Sequence, residues 1–337
     1  MEANTYSSAG VNIEKAEHFV GRLKTSSRRA GHERLWKGAG GYASVVPIDD
    51  EIAMALTTDG VGTKLLVALE FEQLEGIGID LVAMCANDLI CVGAKPTAFL
   101  DYFATPKLDD AQADAIIQGI VEGCDQASML LVGGETAELP GLYADKHFDL
   151  AGFAAGTVTR KTLITGDAIA PGDIVIGVAS TGIHSNGLSL ARKVIKEGDP
   201  MRKALLQPTA IYVKPVIEAM QRYSHSIKGL AHITGGGWRN LLRLNDQVGF
   251  SIDKPLALPP VFSHLLQHVD AEEMYKTFNM GMGLALIVNM HDAQIIQLFK
   301  DYGYSAAQIG TVTDKHGEVA IDAESHLGRP AKFTLKE

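Results

Sequence analysis

Leu131-Val132-Gly133-Gly134-Glu135-Thr136-Ala137-Glu138-Leu139-Pro140-Gly141 is the stretch on which the reading of this chain turns. An apolar run reaches two glycines, two carboxylates follow three residues apart, and Pro-Gly closes the segment. Paired glycines let the backbone take positive φ and approach a ligand closely, and the carboxylates can hold a metal ion or a proton. Taken alone, an ordinary strand-ending turn accounts for it as well. Three more glycine-rich turns shift the balance: Thr57-Thr58-Asp59-Gly60-Val61-Gly62-Thr63-Lys64, Ser180-Thr181-Gly182-Ile183-His184-Ser185-Asn186-Gly187 and His232-Ile233-Thr234-Gly235-Gly236-Gly237. Each carries a functional side chain. Four such turns in one chain predict a site for phosphates and a metal.

Composition sets the frame. With 337 residues and 46% hydrophobic content there is material for two domains with proper cores. A net charge of −10 argues against generic nucleic-acid binding, which needs a basic face. An acidic protein that binds polyphosphate needs Mg²⁺ and local lysines or backbone amides to offset like-charge repulsion. Cys85, Cys91 and Cys124 form neither a disulfide framework nor a Cys-x-x-Cys pair and read as buried thiols. Met1 to Gly10 is polar, unlike a secretory leader, and no apolar stretch approaches the roughly 20 residues needed to span a bilayer. The expectation is a soluble, cytoplasmic protein with no membrane and no nucleic-acid partner.

Outward from the turns, apolar periodicity predicts helices over 16–24, 78–93, 109–126, 188–197, 209–222 and 292–302. Strands are predicted over 42–46, 52–58, 99–104, 128–132, 149–158, 174–179, 283–288 and 306–312. Turn signals at Thr165-Gly166-Asp167 and Pro171-Gly172-Asp173 separate two blocks, giving domains over 1–166 and 167–337. The irregular alternation of helices and strands fits α+β layers better than a doubly wound parallel sheet.

Several side chains stand out. Asp59 ends a Thr-rich strand and is either a turn cap or a Mg²⁺ ligand, with Thr63 and Lys64 placed to meet phosphate oxygens. The spacing is not that of a P-loop. On helix 78–93, Asp80 and Asn87 share a face but lie about 10.5 Å apart along the axis, too far for one ion. Asp88 is more telling, because an acid beside an apolar stripe is costly unless something pairs with it; it reads as a metal ligand, or else as a capping or salt-bridging acid. His184, Ser185 and Asn186 precede a helix whose free N–H groups could meet an anion, or one of them simply caps it. His232-Ile-Thr-Gly-Gly-Gly repeats the device. Lys24 lies ahead of the flexible Gly38-Ala39-Gly40-Gly41 and otherwise reads as a surface lysine.

In this order the stretches resemble the phosphoribosylformylglycinamidine cyclo-ligases, or aminoimidazole ribonucleotide (AIR) synthetases, of purine biosynthesis. The resemblance rests on Ala9-Gly10-Val11, Thr58 to Lys64, Gly78 to Cys85, Asn87-Asp88-Leu89, Leu100-Asp101-Tyr102, Gly133 to Glu138, His184 to Gly187 and Thr277-Phe278-Asn279-Met280-Gly281, from about Tyr6 to Val312. It implies a two-domain α+β fold, with an N-terminal mixed sheet pairing across a homodimer into a barrel-like sheet and a C-terminal α/β sandwich. ATP would lie in a cleft near that interface. Asp59, Asp88 and Glu135 would serve Mg²⁺, with Gly60, Thr63, Lys64, Gly133 and Gly134 beside the nucleotide. Lys24, Gly40 and Gly41 would close over phosphates, and His184, Asn186 or His232 would act in catalysis. The related superfamily also holds thiamine-monophosphate kinase, the alternative reading, and selenophosphate synthetase, which would want a reactive Cys that residues 37–46 lack.

The implied chemistry suits the residue types. A formyl oxygen is a poor leaving group, so closing an imidazole ring requires its activation. Transfer of the ATP γ-phosphoryl group to that oxygen, attack by the neighbouring amine nitrogen and loss of phosphate would achieve this. Phosphoryl transfer asks a protein chiefly for positioning and charge neutralisation.

Overall fold

The structure, a computed structural model, describes all residues except 1–3, 12–14, 16–17, 20, 23–24, 27–31, 39–40, 290–292 and 337. Lys24 and Gly40 therefore lie outside the described residues, as does most of the helix expected over 16–24. Two sheets carry the chain. The first joins β1 (Ser44–Pro47), β2 (Ile52–Gly60), β3 (Lys95–Thr105), β4 (Leu130–Glu138) and β5 (Asp149–Thr159) in the order β1-β2-β5-β3-β4. It is mixed: β3 and β4 are parallel and the other neighbours antiparallel. Helix α1 (Lys64–Phe71) leads into α2 (Glu75–Cys91), and α3 (Asp110–Ala127) provides the crossover from β3 to β4.

Helix α2 is apolar almost all round, and 13 of its 17 residues are buried. That pattern belongs to a helix enclosed on every side. One side meets α3, where a Cβ on Gly119 would sit 1.9 Å from the Glu75 carbonyl, so only glycine permits the approach. Helix α3 starts where Asp109 accepts a hydrogen bond from the Gln112 amide at 2.9 Å, an N-cap that the sequence signals.

The second sheet has seven strands in the order β12-β11-β8-β10-β6-β9-β7, namely β6 (Ile174–Ala179), β7 (Ile227–His232), β8 (Gly249–Ile252), β9 (Met282–Val288), β10 (Ala306–Thr313), β11 (Glu318–Asp322) and β12 (Lys332–Lys336). Strand β9 is buried along its whole length. Helices α4 (Leu188–Val194) and α5 (Val213–Tyr223) face the first unit, and α6 (Pro260–Leu265), α7 (Ala271–Thr277) and α8 (Ala293–Asp301) follow. The α+β layering agrees with expectation.

Three details depart from the sequence reading. Gly133 to Glu138 do not form a loop: β4 runs straight through them, pairing Gly134 with Asp101 and Glu135 with Tyr102. The register slips by one residue at Val132, so a bulge absorbs what looked like a strand ending. Asp59 likewise lies within β2 rather than beyond it. Finally, residues 4–11 pack on the second unit, where the Tyr6 amide donates to Glu273 Oε1 at 2.8 Å and Lys193 Nζ to Ser8 Oγ at 3.0 Å.

Candidate active site

Three of the four glycine turns converge on α2. The Asp59 carboxyl, at the end of β2, lies beside that of Asp88 on α2, near enough for the two charges to repel. Burial and then Asp88 push Asp59 up to about 6, against which a 2.7 Å hydrogen bond from the Gly60 amide works. His232, at the end of β7, places Nδ1 2.9 Å from Asp88 Oδ1 and is itself fully buried. Its Nε2 lies 3.4 Å from Asn87 Nδ2. The side chain of Asn87 is otherwise spent: Nδ2 donates to the Ala210 carbonyl and Oδ1 accepts from the Tyr212 amide. So α2 presents Asp88 with its neighbour tying the two units together.

The turn after β2 reaches the second unit through Thr63, whose Oγ1 lies 3.2 Å from Ser189 Oγ on α4. The 180–187 turn arrives from the other side, with Asn186 Nδ2 3.8 Å from Met84 Sδ on α2. Asn186 Oδ1 lies so close to Gly235 that a Cβ there would be 3.1 Å from it. His184 is buried with φ of 61°, a left-handed conformation that costs a residue with a side chain. Its Nε2 accepts from the Thr181 amide at 3.3 Å, and burial, followed by the charges of His232 and Lys64, pulls its pKa far below the ordinary value. It is neutral at physiological pH, and its Nδ1 has no partner among the described residues.

Lys64 requires a correction. Expected to meet phosphate oxygens, it is fully buried, with Nζ 2.7 Å from Asp80 Oδ2 and donating to the Gln207 carbonyl at 2.7 Å. The ammonium is enclosed by the protein and engaged by its own carboxylate and carbonyl. Glu135 departs as well. Across the sheet it faces Tyr102, then Ala151, then Gly60. Three strand spacings are about 14 Å, so Glu135 cannot share an ion with Asp59 and Asp88 in one protomer. Gly133 and Gly134 lie out on the same edge strand, where a Cβ on Gly134 would strike Asp101 Oδ1. Gly41 bridges no such distance: it stands just before Tyr42, beside the Lys37 side chain.

Asn279, which the sequence reading quoted without giving it a role, holds the turns in place. Asn279 Nδ2 donates to the Gly182 carbonyl at 2.9 Å, and its Oδ1 accepts from Ser180 Oγ and the Gly281 amide. Its carbonyl accepts from Trp238 Nε1, which links this brace to the Gly235–Gly237 turn. Arg243, which the sequence reading did not single out, ends the 3-10 helix Gly237–Arg243, and its charge is felt at Asp59.

Among the described residues no group of three or more His, Cys, Asp or Glu side chains stands in a metal-holding arrangement. Two adjacent carboxylates, one of them pushed towards protonation, nevertheless suit a hard divalent cation. Mg²⁺ commonly takes one or two protein carboxylates and completes its octahedron with water and phosphate oxygens.

Residues 40–158 match the family model for the N-terminal domain of AIR synthase related proteins, and residues 170–323 the model for their C-terminal domain. Curated relatives named phosphoribosylformylglycinamidine cyclo-ligase include one from Chromobacterium violaceum, 42% identical over 333 residues that span 93% of this chain and 96% of the relative. Another, from Carboxydothermus hydrogenoformans, is 42% identical over 344 residues, 96% of this chain and 100% of the relative. Among solved structures, a HypE–HypF complex aligns with a TM-score of 0.65 at 19% identity, over 89% of this chain and 93% of that one. AaThiL complexed with AMPPCP and TMP aligns at 0.63 and 19%, over 93% and 96%. T. maritima PurL complexed with ATP aligns at 0.62 and 20%, over 90% of this chain and 47% of that one, so the chain spans about half of PurL. At such identities these structures establish the fold. The sequence relationship goes further: this chain belongs to the AIR synthase related family and, within it, to the phosphoribosylformylglycinamidine cyclo-ligases.

Proposed function

We infer that this protein closes the imidazole ring of 5-aminoimidazole ribonucleotide from formylglycinamidine ribonucleotide, releasing ADP and phosphate in purine biosynthesis. The observation that carries the reading is the Asp59–Asp88 pair, held by His232 at a junction of glycine turns, in a chain 42% identical to cyclo-ligases along nearly its whole length. The γ-phosphoryl group of ATP passes to the formyl oxygen, the amine nitrogen attacks the activated carbon, and the C–O bond breaks with phosphate leaving. Asp59 and Asp88 would hold Mg²⁺, which when bound neutralises phosphate charge. His232 is fully buried and bonded to Asp88. It acts on catalysis by fixing that carboxylate. His184 and Asn186 shape the substrate side of the cleft, Gly60 and Thr63 the nucleotide side, and Lys24, Gly40 and Gly41 close over phosphates.

ADP release tests the reading. It should require formylglycinamidine ribonucleotide and remain at background with thiamine monophosphate. The reverse preference would make the protein a kinase.

We also infer a homodimer and a cytoplasmic location. The face of the first sheet turned away from α2 exposes Ile52, Leu56, Leu100 and Phe153, each 38–45% accessible. A contiguous apolar face of this kind marks an interface. A twofold mate laid on it would bury well over about 2,000 Å², the scale of obligate dimers. A monomeric mass by light scattering at micromolar concentration would refute this. No helix among the described residues is long and apolar enough to cross a membrane.

A further inference from the structure

Arg243 belongs to the second unit but serves the first. It ends the 3-10 helix that leaves the Gly235–Gly237 turn, and its guanidinium carbon lies 5.7 Å from the centroid of the Tyr42 ring. Tyr42 is buried, and its hydroxyl donates at 3.0 Å to the carbonyl of Asn240 on that same helix. Tyr42 directly follows the glycine segment 38–41, so this contact pins the end of that segment to the second unit.

The guanidinium is exposed, and among the described residues it holds no hydrogen bond or ion pair. Its five donors are unspent. On an open surface that would mean a solvated arginine and nothing more. Here the group rests over a fixed aromatic ring, at the end of the helix that leaves the His232 turn, and the carbonyl of Tyr42 accepts at 3.3 Å from Thr57 Oγ1, two residues before Asp59 on β2.

We propose that Arg243 is a nucleotide-binding residue: it meets the β- and γ-phosphate oxygens of ATP seated at Asp59 and Asp88. The proposal rests on the reading of the site given above. An arginine suits the place because its planar fork takes two phosphate oxygens at once and keeps its charge at every working pH. It also puts one phosphate ligand on each unit, so nucleotide binding fastens the two together.

The test is equilibrium binding of a non-hydrolysable Mg–ATP analogue, and separately of AMP, to the full chain and to Arg243→Gln, Arg243→Lys and Asp59→Asn. Loss of one charge-assisted, bidentate contact should weaken Arg243→Gln for the ATP analogue by roughly 10- to 100-fold. AMP affinity should stay within about twofold, and Arg243→Lys should fall between, because charge survives and the fork does not. Equal weakening for both nucleotides would reduce Arg243 to a structural prop and overturn the proposal. Wild-type affinity in Arg243→Gln, with Asp59→Asn impaired, would overturn the proposal alone. Wild-type affinity in both would overturn the reading of the carboxylate site and the proposal with it.

Discussion

Helix α2 carries two aspartates, Asp80 and Asp88, about 12 Å apart along its axis, and their surroundings could hardly differ more. Asp80 is fully buried and fully answered: Lys64 pairs with one oxygen, and the amide and hydroxyl of Thr209 donate to the other at 2.7 and 2.5 Å. Asp88 has His232 on one oxygen and, nearby, a second carboxylate, Asp59. At Asp80 the protein has supplied every counter-charge, so the group serves the fold, tying α1 and α2 to the segment that enters α5. At Asp59 and Asp88 two carboxylates are gathered, and among the described residues neither is bonded to a lysine or arginine. Function lies where compensation stops.

The largest effect expected from this contrast is on stability. Asp80→Asn leaves Lys64 charged, buried and unpaired, and should cost about 3–5 kcal/mol in urea denaturation. Replacing both members with apolar residues of similar volume should recover much of that. If Asp80→Asn unfolds like wild type, Asp80 is not a structural acid and the contrast fails.

Next comes activity. Asp59→Asn and Asp88→Asn keep shape and remove charge, so ADP release with formylglycinamidine ribonucleotide should drop by at least about 10²-fold, roughly 2.7 kcal/mol of barrier. Both variants should stay folded by circular dichroism. Near-wild-type turnover in the pair would place the chemistry elsewhere.

A smaller effect sharpens the point, because Asp59→Asn should stabilise the ligand-free protein. The folded-state pKa of Asp59, about 6, lies above its ordinary 3.8. The charged form is therefore disfavoured on folding, a cost fully present above pH about 6 and absent below pH about 4. The variant should gain on the order of 1–3 kcal/mol at pH 8, with the gain vanishing as pH falls through that window. A gain that does not change with pH would mean a cause other than charge.

Much of this was legible in the sequence, for physical reasons. Asp88 betrayed itself as an acid beside an apolar stripe, and the 109–126 periodicity with its capping Asp109 located α3 to within a residue. The turns at Asp59 and His232 meet because each closes a strand packed on α2, and the His184 turn reaches the same helix through Asn186 and Met84. The failures are equally instructive. Gly133-Gly134 read as a breaker, yet a bulge at Val132 lets β4 continue, and glycine is needed there because Asp101 occupies the space of a Cβ. Lys64 looked like a phosphate ligand because it follows a glycine turn; nothing local reveals that Asp80 reaches it from the next helix. Short strands such as β8 and β11 took their pairing from distant partners and left no pattern of their own. Arg243 was hidden in a run, Trp238-Arg239-Asn240-Leu241-Leu242-Arg243, that reads as an ordinary amphipathic segment.

The central claim is that the carboxylate pair serves transfer of phosphorus to the formyl oxygen before the ring closes. Substrate carrying heavy oxygen in the formyl group tests it directly. If the oxygen departs with phosphorus, the label appears in inorganic phosphate and none of it enters water. Label recovered mainly in water would mean that ATP is hydrolysed apart from ring closure, and it would contradict the account.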